Sequence, residues 1–170
     1  MSASFESRDM TLVEIGAKRI ETRSWQTAYR GPLAIHVAKK WSRELEAICF
    51  QPLFLRALRQ NEGNADAAMI RRVRAVQGCV VAIARLVKVV PTQVVTFAHE
   101  SKAPLKVLGS DMTPTFNEVV SDAEIAFGDY GSGRYAWLLS DVRPLPTPIP
   151  FRGAQGLFDI PDSLVQGAAA

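Results

Sequence analysis

The stretch CVVAIARLVKVV, Cys79 to Val90, decides the fold class. It follows Gly78, is stopped by Pro91, and is dominated by valine and isoleucine. Branched side chains crowd a helical turn but pack well on a pleated surface, so the stretch predicts one long β-strand. Upstream, LAIHVA (33–38) is a compact apolar strand behind the Gly31-Pro32 turn signal of YRGP. Before it, RIETRSW (19–25) alternates; if extended, Ile20, Thr22 and Ser24 face one way and Glu21, Arg23 and Trp25 the other. Downstream, RYAWLLSDVRPL (134–145) reads as a strand, PTPIP (146–150) as an edge or linker segment, and FRGAQGLFDIP (151–161) as a turn with a last strand or helical turn.

Helices fall between these strands at irregular intervals. MTLVEIGAKR (10–19) reads as a short helix ended by Gly16. Residues 41–76 are helical in pattern and split at Pro52, which suits the first turn of a helix but not its interior. The third of these helices, ADAAMIRRVRAV (65–76), sets Met69, Val73 and Val76 on one stripe and Arg71, Arg72 and Arg74 largely off it. SDAEIAFG (121–128) carries a capping box, Ser121 with Glu124, and ends at Gly128. Residues 92–117 are polar and punctuated by proline, and read as a loop. The order is α+β, a small mixed barrel or curled sheet with flanking helices, not a regular βαβ alternation. One domain over residues 1–170 is expected, its core at about 10–160 and the tail 165–170 frayed.

With 170 residues, 48% of them hydrophobic and 22% charged, the chain has enough length for a core without disulfides. No apolar run reaches the roughly 20 residues of a membrane span, and MSASFESRDM lacks the build of a secretory signal. No membrane partner and a cytoplasmic location are therefore expected. Cys49 and Cys79 lack CxxC spacing and read as buried free thiols in a reducing compartment. The net charge of +3 is unevenly spread: residues 16–90 hold 14 Lys/Arg against 5 Asp/Glu, and residues 91–170 hold 5 against 9. A basic first half points to a polyanionic partner or to a dipolar surface without special use.

Several chemistries find no support. GDYGSGR (128–134) has three glycines but comes after a helix and before a strand and lacks a Lys-Ser/Thr pair, so it is a tight loop able to line a cleft, not a P-loop. His36 and His99 have no ligand-spaced companions; no metal and no cofactor is implied, and His36 reads as a hydrogen-bonded structural histidine. No nucleophile triad is evident. Trp41, Phe50 and Phe54 read as core; Trp25 and Trp137, each near an arginine (Arg23, Arg134), fit either core packing or base stacking.

Four blocks, GAKRIETRSW (16–25), YRGPLAIHVAKK (29–40), FGDYGSGRYAWLL (127–139) and RGAQGLFDIP (152–161), together resemble the ASCH domain family. Gly16, Lys18, Glu21 and Arg23 fill the family's Gly-x-Lys-x-x-Glu-x-Arg signature. The resemblance implies a PUA-like mixed β-barrel with a cleft that holds RNA or another nucleic acid or nucleotide. Gly16, Lys18, Glu21 and Arg23, with Trp25, Arg30, Arg134 and Tyr135 from the same blocks, would be the ligand-binding set. The family also includes hydrolases, one kind similar to an amidohydrolase of acylated cytidine and another to a ribonuclease; Lys18 and Glu21 would then be catalytic. The amidohydrolase type carries Thr where this chain has Glu21, and a Pro-Trp pair common before the first helix is replaced here by ESRDM (6–10).

The residue chemistry agrees with a cleft floor: Lys18 a point cation, Arg23 a planar fork for phosphate or a base edge, Glu21 an orienting acceptor, Trp25 near the rim. Glu21 and Arg23 also suit a simple mutual ion pair. Long cations after a glycine cap are expected to stay partly exposed, so Lys18 and Arg23 should serve a ligand rather than the fold. Three readings follow: a non-catalytic RNA-binding module, a hydrolase of a modified nucleoside or RNA, and a protein–protein adaptor using the basic helices. The oligomeric state is left open by the sequence.

Overall fold

The computed structural model describes residues 1–5, 12–13, 18–39, 42–43, 47, 50–52, 54–56, 74–92, 107–108, 114–116, 126–161 and 163. Eight strands run through them: β1 (Ser2–Phe5), β2 (Ile20–Arg23), β3 (Gly31–Val37), β4 (Cys79–Pro91), β5 (Val107–Leu108), β6 (Pro114–Phe116), β7 (Tyr135–Pro150) and β8 (Leu157–Phe158). Six of them form one sheet in the order β2-β7-β4-β3-β1-β8, antiparallel throughout except for the parallel β1–β3 pair. β5 and β6 make a separate two-stranded sheet. The architecture is a mainly antiparallel sheet with short helical segments beside it, and its strand order is open, with β2 and β8 at the margins.

The two long central strands carry the curvature. β4 and β7 pair from Cys79↔Pro150 to Pro91↔Tyr135, with register shifts after Val80, Ile83 and Leu86. Opposite the Ile83/Arg85 shift, Asp141 takes a positive φ of 49°, as a bulged residue does when an extra residue is fitted into one strand. Each shift adds bend and twist, so strands of 13 and 16 residues need not stay flat. β2 flanks β7 only along 135–138. Beyond that, among the described residues, β7 has β4 alone as a neighbour, and Pro144, Pro146, Pro148 and Pro150 all fall in this one-sided part. The PTPIP segment is therefore an edge continuation of β7, where a missing N–H leaves no ladder bond unmade.

Both faces of the sheet are covered. One packs Leu33, Ile35 and Val37 of β3 with Val81, Ala84 and Leu86 of β4, and Trp137 and Leu139 of β7, under Val13. The other gathers Ala34, Val80, Leu145 and Ile160, with Phe151 and Phe158 against them. His36 lies on this second side, buried, its Nε2 3.0 Å from the Phe151 carbonyl, and so is the structural histidine its setting predicted.

Several expectations need correction. SASF, Ser2 to Phe5, is a strand inside the sheet, so the ordered core begins before residue 10. The stretch read as the loop 92–117 contains the small β5–β6 ladder. Phe50 is 48% exposed rather than core, whereas Phe54 is buried edge-on against Phe127 with ring centres 4.7 Å apart. Pro52 does sit in a first helical turn: Leu55 N–H donates to the Gln51 carbonyl at 3.0 Å, the bond a proline at the next position does not interrupt. Gly16, Trp41, Cys49, Arg71, Arg72, His99 and the 165–170 tail lie outside the described residues. Cys79 is a buried free thiol, pushed up from its ordinary pKa by burial. No described helix is long and apolar enough to cross a membrane.

Candidate functional site

β2 is paired with the first four residues of β7, 135–138, in a register that determines what meets what. Glu21 lies opposite Trp137 and Arg23 opposite Tyr135. Directly opposed residues of an antiparallel pair share a face, so Glu21, Arg23, Tyr135 and Trp137 are gathered on one side. Trp25 joins them: its ring meets Trp137 edge-to-face at 4.6 Å, and Trp137 Nε1 donates to the Trp25 carbonyl at 3.2 Å. Trp137 is fully buried and belongs to the core, while Trp25 and Tyr135 are half-buried at its margin.

Lys18 departs most from expectation. Its side chain is 1% exposed. Nζ donates to the Phe127 carbonyl at 2.8 Å and lies 2.9 Å from Glu21 Oε2. Arg23 Nε stands 3.2 Å from the other oxygen, Oε1. The signature thus folds into a cation–carboxylate–cation chain running outward, with exposures of 1%, 6% and 21% from Lys18 to Arg23. A lysine this deep is tolerated because a carboxylate and a backbone carbonyl replace its water. The attraction at Lys18–Glu21 is one of charge proximity, since Glu21 Oε2 accepts no hydrogen bond of good geometry among the described residues. Burial of Lys18 overturns the expectation that it stays partly exposed, and its bond ties β2 to the chain at Phe127, 109 residues away. The mutual pairing of Glu21 and Arg23, left open by the sequence, is present.

The loop after Phe127 closes one side of this cluster. Asp129 N–H donates to Thr22 Oγ1 at 2.9 Å, and Arg134 donates through Nη2 to the Thr22 carbonyl at 3.1 Å and through Nε to the Asp129 carbonyl at 3.0 Å. Arg134 Nε also lies 3.3 Å from Asp129 Oδ2. On the β4 side, buried Thr92 donates to the Gly131 carbonyl at 2.8 Å. Gly128 is required by close approach: a Cβ there would lie 2.5 Å from the Tyr130 ring and 3.2 Å from Thr22 Cγ2. The GDYGSGR loop is a clamp on β2, and Arg134 is part of that clamp.

Of the expected site residues, Lys18, Glu21, Arg23, Trp25, Arg134 and Tyr135 come together at the β2–β7 margin. Arg30 is engaged in its own turn, where its Nη1 donates to the Thr27 and Tyr29 carbonyls at 2.8 and 2.6 Å. Thr22, Thr92, Asp129 and the Phe127 carbonyl escaped the sequence reading. Two of these contributions are backbone carbonyls or turn contacts without a side-chain signature, and Thr22 lay on the face of the alternation turned from Glu21. No three His, Cys, Asp or Glu residues converge as a metal site among the described residues. The chain matches no protein-family model and no curated protein.

Proposed function

We propose that this chain is an ASCH-like, PUA-related domain that binds single-stranded RNA or a related nucleic acid at the β2–β7 margin. The observation that carries this reading is the graded exposure of the signature: a buried Lys18–Glu21 pair fixes the base of Arg23, whose side chain is one-fifth exposed, opposite half-buried Tyr135 in the ladder and two residues before half-buried Trp25. A guanidinium positioned by a carboxylate and flanked by aromatic rings has the donors for phosphate and the π-surfaces for a base. The excess of base in residues 16–90 supplies the wider field that attracts a polyanion. The curled, bulged sheet also suits a PUA-like barrel closed between its two margins, and the free thiol Cys79 suits work in a reducing cytoplasm.

The test is fluorescence anisotropy with labelled single-stranded RNA and DNA across a salt series. Binding should weaken steeply with salt, and Arg23→Ala should lower affinity at least about tenfold while the fold stays intact. Salt-independent binding, or affinity indifferent to Arg23→Ala, would overturn the proposal.

A second reading has one observation in its favour: Lys18 and Glu21 stand 2.9 Å apart in a nearly dry setting, the proximity an acid–base pair needs. A hydrolase of acylated or otherwise modified nucleosides, or of RNA, would use them so. Both Glu21 oxygens already lie against cations, which leaves little room for a proton in flight. Product analysis by mass spectrometry after incubation with modified nucleosides and RNA decides between the readings: turnover abolished by Glu21→Gln favours the hydrolase, and absence of product favours the binding module.

A further inference from the structure

A second concavity lies at the far end of the same two strands. The signature cluster sits where Tyr135 meets Pro91; this pocket sits where Cys79 meets Pro150. β4 separates them by at most roughly 40 Å along its length, at about 3.3 Å per residue. The pocket is an open concavity of about 960 Å³, a size suited to a small organic ligand and far beyond a lone ion.

Its walls are specific. Lys39, Gln77, Gly78, Phe151, Arg152 and Gln155 are among its lining, and none of its described lining residues is acidic. Lys39 and Arg152 are both exposed, and among the described residues neither charged end has a hydrogen bond or ion pair. The lysine is nonetheless guided: Gly78 has a φ of +74°, and a Cβ there would lie 2.9 Å from Lys39 Cε, so glycine lets the lysine stem lie across the pocket floor. The base is pre-formed. Gly78 N–H donates to the Val37 carbonyl at 2.9 Å, Phe151 N–H donates to the Gly78 carbonyl at 2.9 Å, and buried His36 holds the Phe151 carbonyl at 3.0 Å. Phe151 is half-buried and stacked parallel on Phe158 at 6.1 Å, a fixed aromatic wall.

The geometry points to a nucleoside 5′-monophosphate as the occupant. Two cations with no acid among the described lining residues suit a phosphate. A rigid phenyl wall suits a planar heterocycle, and the amides of Gln77 and Gln155 each offer a donor and an acceptor for its edge. The phosphate can belong to a free mononucleotide or to the 5′-end of a strand. This site stands apart from the β2–β7 margin and does not depend on the reading given to it.

Isothermal titration of the full chain with AMP, CMP, GMP and UMP, the matching nucleosides and inorganic phosphate tests it. At least one monophosphate should saturate at one per chain, its nucleoside and phosphate alone binding at least about tenfold more weakly. Lys39→Ala and Arg152→Ala should each weaken it about tenfold, while Arg143→Ala, an exposed arginine on β7 outside the pocket lining, should not. With 5′-phosphorylated and 5′-hydroxyl RNA, a phosphate advantage erased by the Lys39/Arg152 double variant assigns the strand end as source; no advantage beside a saturating monophosphate assigns the free nucleotide. The proposal is overturned if no monophosphate saturates, if phosphate alone binds equally well, if the double variant binds as the parent does, or if Arg143→Ala is equally damaging.

Discussion

Lys18→Met should behave as a stability variant. Methionine keeps the length and apolar stem of the lysine but removes the charge that faces Glu21 Oε2 at 2.9 Å and the donor that reaches the Phe127 carbonyl at 2.8 Å. Breaking a buried ion pair by removing one partner costs about 3–5 kcal/mol, because the other charge stays behind in a poorly solvated site. Arg23 remains 3.2 Å from Oε1 and softens the loss, while the orphaned carbonyl adds to it, so about 3 kcal/mol is expected. For a chain of this length that lowers the melting temperature by roughly 6–12 °C. Lys18→Met/Glu21→Gln removes the stranded charge as well and should recover a measurable part, giving a coupling of at least about 1 kcal/mol in a double-mutant cycle. Thermal and urea melts of the four proteins suffice. If Lys18→Met melts within about 3 °C of the parent, or if the two single losses simply add, water reaches Lys18 and the buried chain of charges is not what joins β2 to Phe127.

Arg23→Ala should separate from Lys18→Met: at one-fifth exposure its pair with Glu21 contributes no more than about 1 kcal/mol to stability, so its melt should barely move while RNA affinity falls. Arg134→Met removes donors to the Thr22 and Asp129 carbonyls and should cost about 1–2 kcal/mol, with faster amide hydrogen exchange along 128–134 as its local signature. Gly128→Ala must displace the Tyr130 ring and should destabilise by about 1–3 kcal/mol; an unchanged melt would mean that Tyr130 swings away freely. For Cys79, burial raises the thiol pKa, the nearby Lys39 opposing it. A group raised in the folded state contributes its full stability below its ordinary value and loses it as pH climbs above. The parent should therefore lose stability more steeply than Cys79→Ala above pH 9.0, the ordinary thiol value, and parallel curves would refute the burial argument.

What the sequence disclosed follows from how local each determinant is. β3, β4 and the first half of β7 were legible because branched and aromatic residues favour a pleat wherever they sit. β1 was not: Ser-Ala-Ser-Phe has little intrinsic strand preference, and its place comes from backbone pairing to β3 and β8, which are distant in sequence. The open margins of the sheet were equally invisible, since strand patterning says nothing about which edges meet. At the site, the spacing of Lys18, Glu21 and Arg23 announced a cluster but not its depth. Depth is set by Phe127, whose carbonyl takes the lysine and whose ring packs on Phe54. Arg30 and Arg134 looked alike as candidate cations near turns; only the fold reveals that one closes its own turn and the other bridges two elements.

The prolines in the outer part of β7 bear on how the chain behaves in company. Sheets aggregate by recruiting strands to margins that offer alternating donors and acceptors. Pro144, Pro146, Pro148 and Pro150 recur at every second residue, and a strand's amides on one side also recur at every second residue, so a whole file of potential donors is deleted together. A foreign strand laid along this stretch would find acceptors without the donors needed to zip. Growth of the sheet by strand addition is thereby left to β2 and β8, which are only four and two residues long and give a newcomer little purchase. The longest strand of the molecule is thus kept from becoming its stickiest.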